Sequence, residues 1–227
     1  MYYNAAIYAA LIAFLINLIL SPILIPFLSR LKFGQYVRDD GPKSHLKKAG
    51  TPTMGGIIIL ISIILTSILF LKDNMDGLAV LFVTVGFGIV GFVDDFIKVV
   101  MKRSLGLRAY QKIIGQVGIA VIFAFFAYHH PDIGSKVIIP FVNTEWDLGI
   151  WYIPFIVFVV VGTVNSVNLN DGLDGLCAGV TLIYSAAFSI IMFYASSLAF
   201  DSGAHYYGIN LQNMMVFAGA VTGACLG

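Results

Sequence analysis

Charge is scarce in this chain: Asp, Glu, Lys and Arg make up 11% of its 227 residues, against about a quarter in soluble domains. With 59% hydrophobic residues gathered in long blocks, that deficit excludes an ordinary water-soluble globule and describes a polytopic membrane protein. Net charge is also nearly absent, at +1. Nothing in the total invites a strongly basic or acidic partner, and nucleic acid is not expected. Cysteine is almost missing. Cys177 and Cys225 are the only two, far apart and in or beside apolar segments, which argues against a disulfide framework or a thiolate metal centre. Both read as small buried residues. The first residues lack a positively charged leader and an evident small-residue cleavage site, so a removable signal peptide is not expected.

What is present is a series of apolar runs. A spanning helix needs about 20 such residues, and the candidate segments are approximately 4–28, 53–71, 77–97, 113–130, 150–167, 176–200 and 212–227. Inside lipid a chain must satisfy its own backbone polar groups, so an all-α bundle of about seven transmembrane helices follows. Pro22 and Pro26 are expected to kink the first. The turn formers and β-prone residues of 131–149 suggest a short extracytoplasmic β-hairpin. No internal repeat or linker interrupts the chain, which reads as one membrane-embedded domain over 1–227.

Charge then orients the bundle. Loops 29–52, 98–112 and 168–175 hold Arg30, Lys32, Arg38, Lys43, Lys47, Lys48, Lys98, Lys102, Arg103, Arg108 and Lys112, whereas the opposite loops hold only Lys72 and Lys136. The positive-inside bias puts the first set in the cytoplasm and the N-terminus outside.

Three segments on that cytoplasmic side carry unusual chemistry. In VRDDGPKSHLKKAGTPTMGG (37–56), lysines alternate with Ser44, His45, Thr51 and Thr53. A headgroup anchor explains the lysines; the interleaved hydroxyls suit phosphate. In VDDFIKVVMKRSLGLRAYQK (93–112), Asp94 and Asp95 end an apolar run, with Lys98 four and three residues on. They read either as a solvated helix boundary or as a site, and adjacent carboxylates on a helix point about 100° apart, so they can hold different jobs. In VNSVNLNDGLDGL (164–176), Asn165, Asn168, Asn170, Asp171 and Asp174 lie between two apolar spans. Asp171 could cap the following helix, and it would share a face with Asp174 if that helix began early enough. Five such side chains exceed what a cap requires, and polar clusters at membrane depth are costly. Carboxylates with lysines and glycine-rich backbone, and no cluster of His or Cys, describe a Mg²⁺-diphosphate site and phosphoryl transfer at a membrane surface. His129, His130 and His205 read as surface residues on the far side.

GPKSHLKKAGTPTMGG, GFVDDFIKVVMKRSLGL and NSVNLNDGLDGLCAG together resemble the phospho-N-acetylmuramoyl-pentapeptide-transferases, over essentially the whole chain. The resemblance implies a multi-pass enzyme of the bacterial inner membrane with its site facing the cytoplasm. It implies attack of undecaprenyl phosphate on UDP-N-acetylmuramoyl-pentapeptide in a Mg²⁺-dependent step of peptidoglycan synthesis, giving lipid I and UMP. Asp94 and Asp95 match the family's catalytic aspartate pair, one of them the base, with Lys98 beside them and Asp171 in the same cleft; these three aspartates are also the metal candidates. Asn168, Gly172, Leu173 and Asp174 match the stretch that receives the uridine, with Lys48 beside it; Asn165 and His45 are further substrate-binding candidates, and Lys98, Lys102 and Lys112 match cleft lysines expected near the diphosphate. A homodimer is left open.

Family members continue past Gly227 with a further aspartate, the principal Mg²⁺ ligand, and a histidine cluster. Neither occurs in this sequence, and the expectation is a truncated chain that is inactive as it stands. A relative using another UDP-N-acetylhexosamine is the nearest rival. A transporter would place polar residues at mid-span, and a membrane scaffold leaves the three segments unexplained.

Overall fold

The computed structural model describes residues 2–30, 54–71, 74–101, 106–139, 141–142 and 144–227. Its helices are α1 (Tyr2–Arg30), α2 (Gly56–Phe70), α3 (Met75–Val100), α4 (Ala109–His129), α5 (Tyr152–Asn170), α6 (Leu176–Asp201) and α7 (His205–Leu226). Two strands, β1 (Lys136–Ile139) and β2 (Thr144–Asp147), and a 3-10 turn (Gly149–Trp151) lie between α4 and α5. This is an all-α polytopic membrane protein: among the described residues six helices are long and apolar enough to cross a bilayer, and α2 is a shorter apolar one. The run GIIILISIILTSILF in α2 is rich in Ile, which in water favours strands. In lipid the need to close every backbone hydrogen bond within the segment overrides that preference.

The chain packs as two compact units, one of residues 1–108 with 177–227 and one of residues 109–176. The core of the first is α7, whose small residues face α1. A Cβ on Gly219 would stand 2.7 Å from the carbonyl oxygen of Ala6, one on Gly227 would stand 2.8 Å from that of Phe14, and one on Gly223 would overlap the carbonyl of Ala10. Partners advance by four residues on both helices at once, so α1 and α7 run parallel with their backbones nearly touching. Asn17 locks the pair by donating from Nδ2 to the Ala224 carbonyl at 2.6 Å.

Helix ends follow local chemistry. Asn74 caps α3, its Oδ1 accepting from the Gly77 amide at 2.7 Å, with Asp76 in the first turn where the helix dipole favours an anion. The same Asn74 donates through Nδ2 to Asn210 Oδ1 at 3.0 Å. This pairing corrects one boundary: the last helix begins at His205, not near residue 212. Its polar and aromatic first turns look like loop in sequence, yet Asn210 and Gln212 are buried inside the unit. α1 stays helical through Pro22 and Pro26. The two cysteines are free and half-buried.

In the second unit the expected hairpin is present. β1 and β2 pair antiparallel with Lys136 opposite Asp147 and Ile139 opposite Thr144, and Lys136 Nζ meets Glu145 Oε2 at 2.8 Å. Ser135 Oγ donates to Asp147 Oδ1 at 2.6 Å and the Gly149 amide adds a bond at 2.9 Å. These two donors hold the Asp147 carboxyl below the usual range, and the hydrogen bond to Glu145 raises the Lys136 ammonium above its own.

Candidate active site

At the end of α3, Asp94 and Asp95 both reach the same cation. Lys98 Nζ lies 2.7 Å from Asp94 Oδ2 and 2.8 Å from Asp95 Oδ1. Spacings of three and four residues put all three side chains on one stripe of the helix. The two carboxylates then differ in surroundings. Asp94 is 15% exposed, and its Oδ1 accepts the Leu107 amide at 2.8 Å. A Cβ on Gly106 would overlap Asp94, so only glycine lets the returning chain come so close. Asp95 is 42% exposed and stands at the end of a groove of about 550 Å³ between α2 and α3, walled by Leu60, Ile63, Gly88, Ile89 and Phe92. One carboxylate is thus fixed by backbone and the other is open, next to an apolar channel. Two carboxylates against one cation leave the cluster with a net negative charge.

In the second unit the polar residues of α5 meet α4. Lys112 Nζ donates to Asn168 Oδ1 at 3.1 Å, and Asn165 Nδ2 donates to Gln116 Oε1 and to the Val161 carbonyl, both at 2.8 Å. The rungs are four residues apart on α4 and three apart on α5, so they form a ladder along one contact face. Gln116 is 1% exposed. Buried in an apolar helix, its amide would be costly without a partner.

Asp171 resolves a choice the sequence left open. It follows the C-terminus of α5 with φ −81° and ψ 48°, and α6 starts only at Leu176, so Asp171 and Asp174 share no helix face. Gly172 and Gly175, the latter at φ +75°, break the chain between them. Residues 171–175 form an exposed turn that carries Asp171, Gly172, Leu173 and Asp174 into solvent. A carboxylate at a helix C-terminus opposes the dipole. Capping therefore does not explain Asp171.

His45, Lys48 and Lys102 lie outside the described residues. Among the described residues no three His, Cys, Asp or Glu side chains gather into a ready-made metal cluster. Asp94 and Asp95 do fit a hard divalent ion in kind: their oxygens converge on a cationic centre, and Mg²⁺ takes one or two carboxylates with water and phosphate oxygens.

The family model for glycosyl transferase family 4 matches residues 77–227, from the first turn of α3 through both polar segments. The chain belongs to glycosyl transferase family 4. Within this family-4 chain, residues 48–60 match the phospho-N-acetylmuramoyl-pentapeptide-transferase signature 1. It is similar to proteins carrying that transferase name in Clostridioides difficile (strain 630), at 50% identity over 97% of this chain and 64% of the relative, and in Thermoanaerobacter sp. (strain X514), at 46% over 97% and 65%. A namesake in Caldicellulosiruptor bescii is 48% identical over 97% of this chain and 64% of its own. The chain therefore spans just under two thirds of the length of these relatives.

Two features of this family-4 chain escaped the sequence reading. Gln116 was one, although a Gln four residues after Lys112 in an apolar helix is the signal that finds it. The tie from Leu107 to Asp94 was the other, and no spacing rule predicts a bond between residues 13 apart that do not share a helix.

Proposed function

We propose that the chain works as a phospho-N-acetylmuramoyl-pentapeptide-transferase. It moves phospho-N-acetylmuramoyl-pentapeptide from its UDP carrier to undecaprenyl phosphate at the cytoplasmic face of the bacterial inner membrane, giving lipid I and UMP. The observation that carries the reading is the convergence of Asp94 and Asp95 on one cation beside an apolar groove, in a chain bearing that transferase signature. The groove suits the hydrocarbon chain of the acceptor, whose phosphate then meets Asp95 and Lys98.

Each residue has a task in this scheme. Asp95, the more open carboxylate, takes the proton of the acceptor phosphate and orients its oxygen for in-line attack. Asp94 holds Lys98 and the Leu107 backbone in place. Lys98, Lys102 and Lys112 offset charge on the diphosphate. Mg²⁺, when bound, supplies further charge neutralisation on that group, and Asp94, Asp95 and Asp171 are the residues that would hold it. Asn165, Asn168, Gly172, Leu173 and Asp174 receive the uridine, with Lys48 and His45 contributing from the signature loop.

The deciding assay offers membranes bearing the protein, carried to the full length of its relatives, radiolabelled UDP-N-acetylmuramoyl-pentapeptide or UDP-N-acetylglucosamine. Lipid-soluble label and UMP from the first donor are expected. Transfer from the second alone would move the chain to the rival class, and transfer from neither would defeat the reading.

Gln116 gives a second check. Gln116→Ala leaves Asn165 tied only to the Val161 carbonyl and costs about 1.4 kcal/mol at the bound nucleotide, the worth of one buried hydrogen bond, so UMP affinity should fall about tenfold. Titration calorimetry on folded protein measures it. Unchanged affinity would remove Asn165 from the nucleotide site.

A further inference from the structure

The hairpin lies at the end of the second unit opposite Asn165 and Asn168, and the transfer reaction has no use for it. Its composition is graded. Phe141 and Val142 at the tip are exposed, Phe141 completely, and Ile138 and Trp146 are exposed on opposite faces of the ribbon behind them. Charge gathers toward the base and is satisfied there, Lys136 by Glu145 and Asp147 by Ser135 and the Gly149 amide. The Leu148 amide closes the base on the Ser135 carbonyl at 3.0 Å.

Exposed aromatics on a loop in water usually fold back onto the protein. Here that does not happen: Phe141 is fully exposed and adopts φ +71°, a left-handed conformation uncommon for bulky residues. The surface it joins is already apolar. Ile150 and Trp151 are exposed where α5 begins, and Phe155 and Phe158 continue the exposed strip along it. The adjoining candidate spans end at His129 and begin at Gly149. Strands of four residues reach about 13 Å, the same order as the headgroup layer of roughly 5–8 Å on each side, so a ribbon tilted back toward the surface keeps its tip in that layer. Trp is enriched in this layer, and exposed Trp and Phe side chains bury at the headgroup and acyl boundary.

We propose that the hairpin is a membrane-interface anchor: its tip, Phe141 and Val142, with Ile138 and Trp146, inserts among the lipid headgroups and upper acyl chains beside α5. The occupant of the exposed surface is the bilayer itself. The inference goes beyond the proposed transferase activity and does not depend on it.

The chain has only two tryptophans, which makes the test direct. Trp151→Phe leaves Trp146 as a reporter with the tip unaltered. A second variant, Phe141→Trp with Trp146→Phe and Trp151→Phe, reports from the tip. Each is reconstituted in phospholipid vesicles with bromines on the upper acyl carbons. Insertion predicts that brominated lipid lowers emission at least about twofold at both positions, while aqueous iodide quenches little. Full iodide access without quenching by brominated lipid would overturn the proposal, because the hairpin would then stand in water. Protection from both quenchers would also overturn it, since protein would then cover the surface.

Discussion

Asp95→Asn is expected to lower turnover by about two to four orders of magnitude, the range a general base contributes, while expression and nucleotide affinity stay near those of the parent. The amide has nearly the volume of the carboxylate and can still accept from Lys98 through its oxygen, so the end of α3 keeps its shape. What it loses is the charge and the ability to take a proton. Asp94→Asn is expected to lower turnover as well, by another route. Its remaining oxygen can keep the Leu107 amide, but Lys98 is then held by one carboxylate instead of two. A partly exposed ion pair contributes under about 1 kcal/mol, so neither change should unfold the protein. Initial rates of lipid-linked product at saturating donor, with UMP binding measured in parallel, separate the two effects. If both variants keep most of their activity, the pair is a solvated helix boundary and the proposed chemistry lies elsewhere.

The fold was legible wherever burial in lipid leaves one solution. Apolar runs with scarce charge located every helix, and the turn-rich stretch over 131–149 located the hairpin. Boundaries failed where tertiary partners intervene. Asn210 looks like loop until Asn74 is seen bonded to it, because sequence reports polarity and not whether a polar group has found a partner. The Asp94, Asp95 and Lys98 cluster was readable because its geometry is local to one helix, at spacings of three and four. The turn at 171–175 stayed open in the sequence because capping rules allow Asp171 at the start of a helix as readily as after the end of one. Gly175 at positive φ decides between them, and a glycine in sequence does not announce its dihedral angle. Long-range ties such as Asn165 to Gln116 become visible only once two helices are laid side by side.

The most severe loss of stability should come from a residue far from the chemistry. Gly223→Leu forces a side chain into the carbonyl of Ala10, and backbone inside a helix cannot turn aside as a flexible side chain can. The remedy is separation of α1 and α7. That surrenders the adjoining approaches at Gly219 and Gly227 and the Asn17 bond to Ala224, since all four lie on one parallel seam. Overpacking of a tight core costs about 1–3 kcal/mol and more where the backbone is the obstacle, so a loss of about 3 kcal/mol or failure to accumulate is expected. Gly118→Leu is the matched control. Nothing lies within 4 Å of a Cβ at Gly118, and leucine is a better helix former than glycine. Thermal unfolding in the same detergent should show a large drop for Gly223→Leu and none for Gly118→Leu. Equal melting of the two variants would mean that the α1–α7 seam contributes nothing to holding the first unit together. Lipid-facing packing alone would then have to account for the burial of Ala9, Ala13, Ala220 and Ala224. It cannot readily do so, because lipid tails solvate alanine as well as protein does, and only close backbone approach rewards excluding them.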